Sequence, residues 1–197
     1  MKKLLIPFGI LIALVFIAAS SFGGTYNRLV TAEEGVKSAW AQVENVYQRR
    51  LDLVPNLVET VKGSAAHEKE TLSRVVEARA SISQMKITSD VVNDPAALEK
   101  FQASQGALSS ALSRLLVVSE QYPDLKANAN FLALQSQLEG TENRITVERM
   151  RFNESAQNFN TLRRTFPTAF VANLMGFKEK AYFQADAAAA KAPSVSF

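Results

Sequence analysis

The chain has 197 residues, room for one domain and an anchor but not for two sizeable domains. It contains no cysteine, which excludes thiolate chemistry, cysteine zinc sites and disulfides together. The net charge is +3 and Lys2 and Lys3 carry two of those charges, so the remainder is nearly neutral and offers no basic stripe for nucleic acid.

Residues 4–22 hold no charged side chain and follow directly on Lys2 and Lys3. A run of this length approaches the ~20 residues that cross a ~30 Å hydrocarbon core, so a transmembrane anchor is expected within 1–24. Positive charge on the short N-terminal flank favours keeping that flank in the cytoplasm and exporting the rest. A cleaved signal peptide is the alternative, with Ala18-Ala19-Ser20 as a small-residue cleavage site. Both readings send the body across the membrane.

Over 26–62 apolar positions recur every seven residues, one line being Val36, Val43, Arg50 and Leu57 and the other Trp40, Tyr47, Val54 and Val61. This is the seam of a bundle helix, and Pro55 should kink it or shift its hydrogen bonding. Gly63-Ser64 marks an end before a second helix over 65–85, with Leu72, Val75, Val76 and Ile82 on its apolar face. After a break at 88–94, Asp94-Pro95 reads as an N-cap with proline at the first helical position. The third helix, 95–121, carries Leu98, Phe101, Leu108, Leu112, Leu115 and Tyr122, and Tyr122-Pro123-Asp124 stops it. The fourth, 131–166, repeats Phe131, Leu138, Ile145, Phe152, Phe159 and Phe166, with Leu134 and Leu162 beside them. The expected fold is all-α, an N-terminal transmembrane helix followed by an antiparallel four-helix bundle of long helices.

Several stretches are recognisable together: Tyr26-Asn27, Arg49-Arg50-x-Asp52-Leu53-Val54-Pro55-Asn56-Leu57-Val58, His67-Glu68-Lys69-Glu70 and Glu77-Ala78-Arg79-Ala80. Tyr122-Pro123-Asp124-Leu125-Lys126, Leu138-Glu139-Gly140-Thr141-Glu142-Asn143-Arg144-Ile145, Phe166-Pro167 and Gly176-Phe177 follow in order. Over about 26–186 the chain thus resembles the LemA family of bacterial membrane proteins. The resemblance implies a single-pass anchor, an antiparallel helical bundle and no established enzymatic activity. One departure is visible: where the family carries two late Tyr-Asn pairs, this chain has Phe152-Asn153 and Phe159-Asn160.

The residues offer little for catalysis. His67 is the only histidine, with no second histidine one turn on, so a helix-borne zinc protease site is excluded. No glycine-rich phosphate loop occurs, and no catalytic, cofactor or metal residue is expected. Polar residues within the seams say more. The antiparallel register that sets Tyr26 beside Phe166 also sets Arg50 opposite Glu142, with Glu139 one turn away. A partly buried ion pair of Arg50 with Glu142 or Glu139 is expected to fix register; the alternative is Arg50 reaching water along its aliphatic stem.

Four units are expected: anchor 1–24, bundle 25–166, membrane-proximal amphipathic segment 167–184 and mobile tail 185–197. Phe166, Phe170, Val171, Leu174, Met175 and Phe177 cluster among Arg163, Arg164, Lys178 and Lys180. They are read either as a surface for the bilayer or a neighbouring subunit, or as a cap on the bundle's end. The function expected is a non-enzymatic scaffold of the bacterial envelope that self-assembles into homo-oligomers. It is placed on the inner (cytoplasmic) membrane with the body on the periplasmic, extracytoplasmic side. The alternative is a regulatory or chaperone-like docking partner of another envelope protein.

Overall fold

The computed structural model describes residues 2–65, 67–85 and 88–185, and every regular element among them is helical. The tail expected beyond Ala185 lies outside the described residues. α1 (Lys2–Ser64) runs for 63 residues, about 95 Å at the α-helical rise, with no break between the apolar run and the body. Then come α2 (Lys69–Ser83), a 3₁₀ turn at Ser89–Asn93, α3 (Pro95–Ser119), the single turn α4 (Pro123–Lys126), α5 (Ala129–Arg164) and α6 (Thr168–Leu174). Among the described residues no helix is long and apolar enough to cross a membrane. Of the side chains in 4–22, those described are 8–12, 16, 17 and 19–22.

Capping sets two of the starts. Asp94 Oδ1 accepts from Ala96 N at 2.9 Å and Ala97 N at 3.3 Å, with Pro95 as the first helical residue. Asn128 does the same for α5, accepting from Asn130 N at 2.9 Å and Phe131 N at 3.3 Å, so that helix begins ahead of Phe131. It also ends early, at Arg164, because the residue before Pro167 is disfavoured in the helical region. Phe166 therefore leaves the seam and is 92% exposed.

Contact pairs give the directions. Trp40 meets Phe152 with ring centroids 5.6 Å apart, and farther up α1 Arg50 meets Glu142, so α5 runs antiparallel to α1. Trp40 also meets Phe101, at 5.6 Å, and Arg50 reaches Ser109, so α3 runs parallel to α1. α2 starts beyond the end of α1 and descends until Arg79 reaches Leu51. Both lines of the α1 seam are buried throughout, whereas Val76 of α2 is half exposed.

α1 carries Pro55 without interruption, and the reason lies on α2. Proline has no N–H, so the carbonyl of Leu51, one turn back, loses its helical donor. Arg79 Nε donates to that carbonyl at 3.0 Å. The acceptor orphaned by proline is thus satisfied from the neighbouring helix. Arg79→Ala is expected to cost about 1–3 kcal/mol, the penalty for an unsatisfied half-buried acceptor. In a Pro55→Ala background, where residue 55 regains its N–H, the same substitution should cost clearly less. Urea titrations of the four proteins measure this, and equal costs in both backgrounds would refute it.

Candidate functional site

The buried side chains divide into two apolar clusters stacked along the helices. The first contains Leu29, Val36, Trp40, Tyr47, Phe101, Ile145, Phe152 and Phe159. The second contains Leu51, Leu57, Leu108, Leu115, Phe131 and Leu138. Between them lies a polar layer centred on Arg50, which is 1% exposed. Its Nη1 donates to Glu142 Oε1 at 2.8 Å and to Ser109 Oγ at 2.8 Å. Its Nη2 donates to the Gln105 side-chain oxygen and, at 3.3 Å, to the Gln105 carbonyl. The guanidinium also lies over the Tyr47 ring, 5.1 Å from its centroid.

Arg50 is thus enclosed by three helices and does not reach water along its stem. Glu139 is not among its partners; it accepts from Gln135 Nε2 at 3.3 Å on its own helix. Gln105 was legible as a gap in the α3 seam between Phe101 and Leu108, and Thr141 fills the corresponding place on α5. Two buried donors in the layer, Arg50 Nε and Gln105 Nε2, have no partner among the described residues. Burial pushes the Tyr47 phenol above its ordinary value of 10.0, partly offset by Arg149 and Arg50. A raised pKa means that folding holds the proton, so this stabilisation is complete below pH 10.0 and is lost as pH rises through the folded value. Tyr47→Phe should therefore flatten the alkaline limb of the stability–pH curve, and an unchanged limb would contradict this.

A second polar assembly lies towards the start of the body, where 177–185 runs as an extended strap over α5. Asn160 and Asn153, seven residues apart on α5, each grip its backbone with both ends of the side-chain amide. Asn160 Oδ1 accepts from Lys180 N at 2.9 Å and its Nδ2 donates to Lys180 O at 2.8 Å. Asn153 repeats the pattern on Phe183, at 2.9 and 3.0 Å. Gln102 on α3 and Arg149 on α5 both donate to Gln184 O. Lys180, one of the cations flanking the aromatic cluster, is 3% exposed: Nζ donates to Glu33 Oε1 at 2.5 Å and to Asn93 Oδ1 at 2.7 Å. Glu33 consequently belongs to a tertiary ion pair. Phe183 stacks on Trp40 at 6.0 Å.

The sequence model of the LemA family matches residues 39–197. The chain belongs to the LemA family. Among its relatives, magnetosome protein MamQ of Magnetospirillum gryphiswaldense is 28% identical over 174 residues, covering 80% of this chain and 64% of that protein. Magnetosome protein MamQ 2 of Paramagnetospirillum magneticum is 27% identical over 179 residues, 81% of this chain and 64% of its own length. Protein LemA of Metamycoplasma hominis is 26% identical over 162 residues, 82% and 70%. The chain therefore spans a little less than two thirds of the MamQ proteins it matches.

In this LemA-family chain the late Phe-Asn pairs divide their work: Phe152 and Phe159 are fully buried, and the neighbouring asparagines clamp the strap. Beside the strap runs a cleft of about 1340 Å³, lined by Glu99, Gln102, Ser109, Glu142 and Arg149 among others. His67 is exposed in the turn between α1 and α2. Among the described residues no group of three or more His, Asp or Glu could hold a metal ion.

The amphipathic segment splits. Val171, Ala172 and Thr168 face inward and are buried, and Phe177 is half-buried against Tyr26, at 5.9 Å, and Phe159, at 6.3 Å. Val171 and Phe177 are thus capping residues. Phe166, Phe170, Leu174 and Met175 point outward.

Proposed function

We propose that this protein is a membrane-anchored, non-enzymatic scaffold of the bacterial envelope, with 4–22 in the bilayer and the helical body, packed as a four-helix bundle, on the extracytoplasmic side. One observation carries the reading. The polar side chains that could do chemistry, Arg50, Lys180, Asn153 and Asn160, spend their hydrogen bonds on the chain's own helices and strap. The surface left to outside partners is largely apolar at one end. There Phe8, Ile10, Leu11, Ile12, Phe16 and Ile17 are each more than half exposed on a stem of α1, which a bilayer would cover. Lys2 and Lys3 before that stem support the orientation.

Copies held in one membrane meet at raised effective concentration, so weak contacts between the long helix faces suffice for homo-oligomers. That two relatives are named as magnetosome proteins agrees with a part as a component of a larger structure. Alkaline carbonate extraction tests the anchor, since release of the full chain from membranes would refute it. Mass measurement of the detergent-solubilised chain tests assembly, and a monomer at all concentrations would refute that. The cleft along the strap favours a second reading, docking of another envelope protein in a regulatory or chaperone-like role. Crosslinking to a heterologous protein in place of self-crosslinks would select it.

A further inference from the structure

We infer that the outward face of α6 and the turn before it dock on the headgroup layer of the bilayer, so that the protein meets its membrane at two places. The inference rests on the anchor proposed above and deepens it. Phe166, Phe170 and Leu174 fall at four-residue steps, and Met175 adjoins them; all four are about half exposed or more, and Phe166 almost wholly so. Other exposed large apolar residues of the body, such as Val76, Val117, Leu132 and Met150, are dispersed over α2, α3 and separate turns of α5. Scattered apolar residues need no partner, but four gathered at one end of a molecule do.

The position of the patch names what covers it. α6 packs on α1 just past the apolar run: Phe22 packs on the cluster that holds Val171 and Ala172, and the ring of Tyr26 meets Phe177. Tyr26 lies only about 6 Å along the helix from Phe22. A helix that leaves the hydrocarbon near Phe22 therefore carries α6 at headgroup depth, where an apolar face sinks about 5–10 Å into the acyl boundary. Exposed cations stand at the same level, Arg28 on α1, Arg164 at the end of α5 and Lys178 after α6, with Glu179 the neighbouring acid. Apolar face and basic rim together fit an anionic lipid surface.

The division of labour within the segment adds to this. Thr168, Val171 and Ala172 already close the end of the core, so the outward residues are not needed for that purpose. Because α1 is continuous through Gly23 and Gly24, the second contact fixes how the body stands on the membrane instead of letting it pivot.

The chain has no cysteine, so single labels are clean. Phe170→Cys and Leu174→Cys, with Val117→Cys as a control towards the far end, are each labelled with an environment-sensitive fluorophore. The full chain is then reconstituted in vesicles of phosphatidylcholine and phosphatidylglycerol. Labels at 170 and 174 should emit to the blue of the label at 117 and be quenched several-fold more by lipids with a nitroxide near the headgroup. Arg28→Glu, Arg164→Glu and Lys178→Glu together should diminish that quenching. Labels at 170 and 174 that behave like the one at 117 would overturn the docking, as would disulfide crosslinking of Phe170→Cys between copies with no lipid quenching. Carbonate extraction of the same samples keeps the two readings apart. Retained protein with unquenched labels defeats the docking alone, whereas released protein defeats the anchor beneath it.

Discussion

Arg50→Ala is expected to destabilise the folded chain by about 3–5 kcal/mol, a large share of the total stability of a domain this size. The substitution removes the donors that satisfy Ser109 and Gln105, takes the counter-ion from Glu142, and leaves a void between the two apolar clusters. Glu142→Ala should cost less, about 1–3 kcal/mol. Glu142 is 43% exposed, and Arg50 keeps its bonds to Gln105 and Ser109 when the carboxylate goes. The losses should not add: a coupling of about 0.5–3 kcal/mol is expected between directly bonded partners. Urea unfolding of the two single variants and the double one gives all three numbers, and small additive losses would remove the polar layer from the account. Arg50→Met separates stability from specificity. It fills the volume without a charge, and buried ion pairs often lose nothing to apolar residues of similar size. A stable Arg50→Met chain that samples several association states would identify the layer as the device that sets helix register.

Asn160→Ala should free the strap. The asparagine satisfies both backbone groups of Lys180 and also donates to the hydroxyl of Tyr182 at 2.8 Å. Leaving two buried backbone groups unpaired costs about 1–3 kcal/mol each, enough to favour local opening over a strained closed state. The readout is direct because Trp40 is the only tryptophan and Phe183 covers it. Opening should shift Trp40 emission to the red, raise its quenching by acrylamide and expose 177–185 to protease, while helical circular dichroism changes little. Asn153→Ala should act in the same direction. An unchanged Trp40 spectrum in both variants would mean that side-chain packing, not the amide clamps, holds the strap.

Much of the helical framework was legible because seven-residue periodicity is a property of the chain itself. Both seam lines of α1 and most of those of α3 and α5 are buried as their spacing implies, since an apolar stripe at helical period must find a partner. Helix ends are less legible: the repeat gives no sign of the Asn128 cap and runs on to Phe166, whereas the helix stops at Arg164. Periodicity counts positions but does not register where backbone geometry ends the helix. Val76 is half exposed, contrary to the apolar-face expectation: with Leu72 and Val75 inward on α2, an adjacent residue must turn away.

What the sequence determined by itself was local: helices, Asp94 as a cap, the apolar run behind two lysines, and an arginine interrupting a seam. Register along α1 and α5 did not follow, because a seven-residue repeat aligns equally well at every seven-residue shift; Tyr26 meets Phe177, and the Arg50–Glu142 and Trp40–Phe152 contacts set the register. Only the tertiary structure decided which polar groups share a layer. Gln105, Ser109 and Glu142 come from two helices and meet at Arg50 because of how those helices are placed around α1. It alone decided that Lys180 turns inward to Glu33 and that Arg79 serves the carbonyl left open by Pro55. Hydrophobic spacing is written residue by residue, whereas a buried charge is tolerated only where distant parts of the chain bring it enough partners.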